Sequence, residues 1–316
     1  MCVIVLSPLT NVPVAEQSAW LAGDPPRPRY QISLYSPRRT GYSLSPSPMS
    51  NPATISDCRS VLVIGATAGL GRALALAIHG LPSKPTVIAA GRRQERLDDL
   101  AKQGERIQTV KFDVNASRDA LKSAVQDVYQ KYPDLDAVLF VSGIQHLFDF
   151  KKPESINLDT LEEELNTNYT SIIRMATFFL PHFLKLSEQG RPSLMITVTS
   201  GLAIVPGPWV PNYCATKAAL HSFTLSLHTQ LKSTKVKVME IFPPLVESEL
   251  HDHQGTTPAL SKLWMPLDEF TKEAMEGLQR GDVEIPVGKS AQQWEAFEKG
   301  KLEKAEGAQK LFSAPK

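Results

Sequence analysis

From Ser60 onward the apolar residues fall into short β-branched runs separated by longer segments with helical spacing. "SVLVI" leads into a glycine turn and an apolar helix reaching His79, "TVIAA" precedes a charged helix from about Arg93, and "RIQTVKFDV" follows. A helix near Ser117 to Tyr132, the strand "DAVLFVSG", a long helical region from Asp159 to Leu186 and "SLMITVTS" continue the alternation. Next come a helix carrying "YCATK", the strand "KVKVMEIF", and in "LWMPLDEFTKEAMEGLQRGDVEIPVG" one more helix and a last short strand. Apolar strands with no polar face predict a parallel sheet covered on both sides and joined by right-handed crossovers. The expected fold is α/β, a doubly wound parallel sheet of the Rossmann type, with about seven strands and helices on both faces.

The same pattern divides the chain. Residues 1–57 show neither period and are rich in proline and serine, as in "GDPPRPRYQISLYSPRRTGYSLSPSPMSNPA", so a disordered leader is expected, with Met49 as an alternative start. Glu16 and Asp24 interrupt what an organellar leader would keep free of acid. Residues 58–290 are read as one nucleotide-binding domain, including a substrate loop at about 245–268 with Leu263, Trp264 and Met265 as apolar walls or as incidental anchors. Residues 291–316 read as a polar, partly helical tail. The helices over 159–186 and 213–231 could serve a homo-oligomer or the core, which apolar spacing does not separate.

Composition then removes several function classes. Lys+Arg 34 against Asp+Glu 33 gives a net charge of +1, so no long-range field draws nucleic acid or an anionic membrane, and any anion site must be local. No apolar stretch of about 18 residues predicts a membrane span. Cys2, Cys58 and Cys214 lack paired or metal-ligand spacing, which fits a reducing, cytoplasmic setting. "HDH" at His251 to His253 lacks a third ligand pattern and is expected to be a solvated loop rather than a metal site. Cys214 is read as a packing residue.

Between the first strand and first helix, "GATAGLG" places Gly65, Gly69 and Gly71, with Thr67 and Leu70 in the same turn. Missing Cβ atoms let backbone approach a pyrophosphate there, and the helix N-terminus faces the anion. Where an NAD site would show an acid for the ribose hydroxyls, this chain has "AAGRRQERL"; Arg92 and Arg93 suit a 2′-phosphate, so NADP is favoured over NAD. A solvated basic helix start is the plain alternative.

Tyr213 and Lys217 stand at i and i+4 of a predicted helix and share a face. A nearby ammonium favours the phenolate, which predicts a lowered tyrosine pKa and proton exchange with a carbonyl or alcohol oxygen near neutrality. Ser200, at the end of the fifth strand, could polarise the same oxygen.

These motifs together make the chain resemble the short-chain dehydrogenase/reductase family of the single-domain kind over about Ser60 to Gly288. The resemblance rests on GATAGLG, Asp113-Val114 after strand three, Asn168 in "NTNYTS", Ser200, and the YxxxK of Tyr213 and Lys217. It implies that Asn168 holds a water in a proton relay, that Lys217 also binds the nicotinamide ribose, and that Asp113 and Val114 flank the adenine. Ser142, Gly143, Val246 and Ser248 fall, by the same resemblance, on cofactor-contacting segments. Ile64, "FVSG" and Pro243-Pro244 depart from the family's usual residues and bear on cofactor geometry. The activity implied is hydride transfer between NADP and a small-molecule carbonyl or secondary alcohol, with Tyr213 as proton donor or acceptor. The rival from another class is a catalytically idle NADP-binding sensor.

Overall fold

The computed structural model describes residues 53–312, with side chains described through residue 309. The leader expectation lies outside the described residues as far as residue 52. Ile55–Asp57 form a 3-10 turn whose Ile55 is fully buried.

Seven strands, β1 (Ser60–Ile64), β2 (Thr86–Gly91), β3 (Ile107–Lys111), β4 (Leu135–Phe140), β5 (Ser193–Val198), β6 (Val236–Phe242) and β7 (Glu284–Pro286), form one sheet in the order β3-β2-β1-β4-β5-β6-β7. Every pairing is parallel. The helices are α1 (Gly69–His79), α2 (Gln94–Ala101), α3 (Arg118–Lys131), α4 (Leu158–Leu165), α5 (Ser171–Glu188), α6 (Pro211–Leu231), α7 (Thr257–Leu260), α8 (Leu267–Arg280), α9 (Ser290–Phe297) and α10 (Lys301–Phe312).

Alternation along β1 shows why both faces must be covered. Val61 and Val63 point into a core shared with Leu74 and Ile78 of α1, Leu97 and Leu100 of α2 and Phe270 of α8. Leu62 and Ile64 point the other way, against Leu121 of α3, Phe179 and Phe183 of α5 and Leu220 of α6. A strand apolar on both sides is stable only between two helical layers, which is the doubly wound arrangement expected from the sequence.

The chain leaves β1 toward β2 and β3, then returns to β4 on the other side of β1. Ile64 pairs with Ala90 on one side and Phe140 on the other, so the three strands end level. Loops leaving β1 and β4 in opposite directions open a crevice at the carboxyl ends of the strands.

The helical region expected over 159–186 is present, with one irregularity inside it. Asn166–Thr170 form a π-helical turn between α4 and α5. Polar side chains explain the π turn: Asn115 Oδ1 accepts from Asn166 Nδ2 at 2.9 Å and from the Thr167 hydroxyl at 2.9 Å, drawing this turn toward the end of β3. An inserted residue of this kind redirects a side chain while leaving the flanking helices intact. Among the described residues no helix is long and apolar enough to cross a membrane.

Candidate functional site

The crevice widens into a cleft of about 1080 Å³ lined by residues that follow β1, β2, β4, β5 and β6. At its floor Gly65 has φ +97° and lies so close to the β4 loop that a Cβ would stand 2.6 Å from the Ser142 nitrogen. Gly71 is packed so tightly on the same turn that a Cβ would meet the Gly65 oxygen at 2.2 Å. Only glycine fits both positions, and the N-terminus of α1 thereby opens directly onto the cleft. Gly65, Thr67, Gly69, Leu70, Gly71, Ser142, Gly143, Val246 and Ser248 all line it. The Ser142 hydroxyl is buried with no protein partner.

Arg92 and Arg93 follow β2 on the same wall. Arg92 is exposed, while Arg93 donates to the Thr67 hydroxyl from Nε at 3.2 Å and from a terminal nitrogen at 3.0 Å. Its remaining terminal nitrogen donates to Glu249 at 3.0 Å. Val114 also lines the cleft, but Asp113 does not: it is exposed, and its carboxylate accepts from the Asn115 N–H at 3.0 Å.

Ser200, Tyr213 and Lys217 lie on the adjoining wall. Pro211 starts α6 at a position where a missing N–H costs nothing, and the shared face expected for Tyr213 and Lys217 is present, with Nζ 5.6 Å from the phenol ring centre. Lys217 donates to the Val198 carbonyl at 2.9 Å, which ties it to the end of β5. Ser200 Oγ accepts from the Leu202 N–H at 3.1 Å, capping a 3-10 turn, and its side chain also hydrogen-bonds with Tyr213. Asn168 is fully buried and is not in the cleft wall; its Oδ1 accepts from Ile144 N–H at 2.9 Å, and its Nδ2 donates to Ile144 O at 2.8 Å and to the Thr216 hydroxyl at 3.1 Å. It thus fixes the loop after β4 beside Lys217, since a Cβ on Gly143 would lie 3.3 Å from Asn168 Oδ1 and 3.6 Å from Lys217 Nζ.

The expected lowering of the Tyr213 pKa is corrected. Burial holds the phenol well above its ordinary value, and the Ser200 side chain opposes that rise without overcoming it. Lys217 is desolvated as well: burial draws its pKa down to about 8, against the attraction of Glu240 and Glu164. Sequence spacing reports the shared face of a helix, whereas the burial of that face belongs to the tertiary packing.

Several polar residues around the site carried no sequence motif. Glu164 on α4 is fully buried; its carboxylate accepts from His146 N–H at 2.7 Å, sits 3.1 Å from His146 Nδ1, and accepts from Asn212 Nδ2 at 3.1 Å. The "LEEELN" run reads as a solvated face, and the available signal was the i, i+4 spacing from Glu164 to Asn168. His146 lines the cleft and meets the His253 ring at 4.9 Å between centroids. His251 is buried, which corrects the solvated reading of that residue in "HDH".

One turn beyond Lys217, His221 is buried between two carboxylates: Nδ1 lies 3.0 Å from Glu240 of β6 and Nε2 lies 3.0 Å from Glu298, which follows α9. Burial disfavours a charged ring, but the two acids outweigh it and hold the His221 pKa above its ordinary value. Glu240 also accepts the Thr199 hydroxyl at 2.6 Å, next to Ser200. The segment after β7 is therefore fastened beneath the site, and its Ser290 and Gln293 join the cleft wall.

Comparison with known proteins places this arrangement among relatives. The family described as short chain dehydrogenase matches residues 59–259. An uncharacterized oxidoreductase, DltE, of Bacillus subtilis is 35% identical over 227 residues, covering 72% of this chain and 86% of that protein. The NADP-dependent 3-hydroxy acid dehydrogenase of Schizosaccharomyces pombe is 27% identical, covering 61% of this chain and 73% of its own. A short chain dehydrogenase from Burkholderia cenocepacia solved in complex with NADP superposes with a TM-score of 0.63 at 22% identity, covering 80% of this chain and 99% of that one. At such identity the likeness speaks for the fold alone.

Proposed function

The chain belongs to the short-chain dehydrogenase/reductase family, and from that premise we propose that it is an NADP-dependent oxidoreductase interconverting a carbonyl and a secondary alcohol. The observation that carries this reading is the convergence of Ser200, Tyr213 and Lys217 on one wall of the cleft that starts at the Gly65 turn. A nicotinamide dinucleotide fits the residues present: the tight turn at the start of α1 admits no Cβ at Gly65 or Gly71, the Ser142 hydroxyl is buried without a protein partner, and the Arg93 fork stands beside Thr67. The cleft is as large as the upper end of small-molecule sites, about 1,000 Å³. Gly65, Gly69, Gly71 and the α1 N-terminus would hold the pyrophosphate, Arg92 and Arg93 the 2′-phosphate, and Val114 the adenine. The preference for NADP is supported by those arginines and by the name of the fission-yeast relative.

When bound, the dinucleotide supplies or accepts the hydride. The protein's part is to manage the oxygen of the substrate. Ser200 offers its hydroxyl proton to that oxygen, where negative charge develops during reduction. Tyr213, kept protonated by burial, is in the form needed to donate a proton at Oη. Lys217, with a pKa near 8, is largely charged at neutrality and stabilises the phenolate once the proton has left. The Val198 carbonyl orients the ammonium, and Asn168 fixes the loop beside it.

Tyr213→Phe keeps the ring and its packing while removing the transferable proton. We expect dinucleotide binding, followed by fluorescence, to be retained, and turnover with a panel of ketones and aldehydes to fall by about 10²-fold or more. Turnover equal to the parent's would overturn the assignment.

A further inference from the structure

Glu249 opens the 3-10 turn Glu249–Gln254, inside the segment that crosses the cleft after β6. Its carboxylate reaches over to the wall formed after β2. One oxygen accepts from Arg93 at 3.0 Å and the other accepts from Arg96. The side-chain hydrogen bond from Arg96, the largest effect, together with that from Arg93 and the charges of both arginines, outweighs burial and holds its pKa below the ordinary carboxylate value, so it stays ionised across the neutral range. Arg93 is thus shared between Thr67 of the glycine turn and an acid on the substrate segment.

We propose that Glu249 is a cofactor-specificity residue: its carboxylate occupies the anion seat on Arg93 and Arg96, and a 2′-phosphate must displace it, which couples NADP binding to release of the segment 245–268. The inference rests on reading the cleft as an NADP site.

The strength of the contact suits exchange. Arg93, Arg96 and Glu249 side chains are 41%, 39% and 46% exposed, and ion pairs at such exposure are weak. A phosphate monoester brings more charge and three acceptor oxygens to the same fork, so it outcompetes a single carboxylate. The ribose hydroxyl of NAD brings neither and leaves the pair in place. Elsewhere the segment is fastened by the Val246 and Met265 bridge at its base and by Gln254, whose Nε2 donates to Gln145 O at 2.7 Å on the substrate side. Glu249 is the anchor on the cofactor side, and its loss lets the turn between these two attachments move.

The experiment compares the parent, Glu249→Gln and Arg93→Ala by calorimetric titration with NADP+, NAD+ and 2′,5′-ADP, and by hydrogen exchange over residues 245–268. Glu249→Gln should bind NADP+ and 2′,5′-ADP about two- to fivefold more tightly, with NAD+ unchanged, the range expected for removing an exposed competing pair. The ligand-free variant should show the exchange in 245–268 that the parent shows only with NADP+. Unchanged or weakened NADP+ binding in Glu249→Gln, in a parent that prefers NADP+ and loses that preference in Arg93→Ala, would overturn the competition while leaving the cofactor reading intact. A parent indifferent to the 2′-phosphate would overturn both.

Discussion

Glu164→Gln tests how burial sets the charge beside the cleft. The Glu164 carboxyl is fully buried, and desolvation raises its pKa from an ordinary 4.5 to about 7, even though His146 N–H and Asn212 donate to it. A folded-state value above the unfolded one means that the folded protein holds this proton longer than the unfolded chain. The contribution to stability is therefore complete below pH 4.5 and is lost as pH rises through about 7. At about 1.36 kcal/mol per pKa unit, the shift corresponds to a loss of roughly 3 kcal/mol between those limits. Glutamine cannot ionise, so the variant lacks that slope. It does pay a pH-independent cost of about 1 kcal/mol, because its amide group must face one of the donors that the carboxylate accepts. Urea denaturation of both proteins at half-unit steps from pH 4.5 to 8 measures the difference. The parent should be the more stable at the acid end and should lose about 2 to 3 kcal/mol relative to the variant by pH 8. A difference independent of pH would refute the claim that Glu164 is neutral in the folded protein under acid conditions.

Gly65→Ala forces a side chain onto a residue with φ +97° and into contact with the Ser142 backbone, so a loss of about 1–3 kcal/mol in stability and of dinucleotide affinity is expected from denaturation and titration. His221→Phe leaves Glu240 and Glu298 buried without the imidazole nitrogens between them and should cost roughly 3–5 kcal/mol by thermal or chemical unfolding. Because the His221 pKa is raised, that cost should be largest below the ring's ordinary value of 6.5 and shrink as pH rises through the folded value. Arg93→Ala should weaken NADP+ by about tenfold or more and leave NAD+ nearly unchanged, as expected for the loss of a charge-assisted phosphate contact; equal losses for both would remove the 2′-phosphate argument.

The alternation of β-branched runs with helical spacing already dictated the parallel sheet and its two helical layers, because strands like "SVLVI" and "TVIAAG" have no face that tolerates water. Glycine placement was legible in part: Gly65 and Gly69 take positive φ, which depends on the residue itself, whereas Gly71 is required by its packing on the Gly65 carbonyl. The i, i+4 spacing of Tyr213 and Lys217 also survives folding, since helix periodicity fixes which side chains share a face. Charge states around them did not follow from spacing. Desolvation of Tyr213, Lys217 and Glu164 depends on what α4, α6 and the ends of β4 and β5 bring together from distant parts of the chain. The π turn at Asn168 hangs on Asn115, about 50 residues earlier in the chain, and the segment after β7 hangs on a histidine one turn below Lys217. Glu249 likewise meets Arg93 across 156 positions of sequence. Short-range rules set what each segment becomes; long-range contacts, which remove water and place one charge beside another, decided how the site holds its protons and its anions.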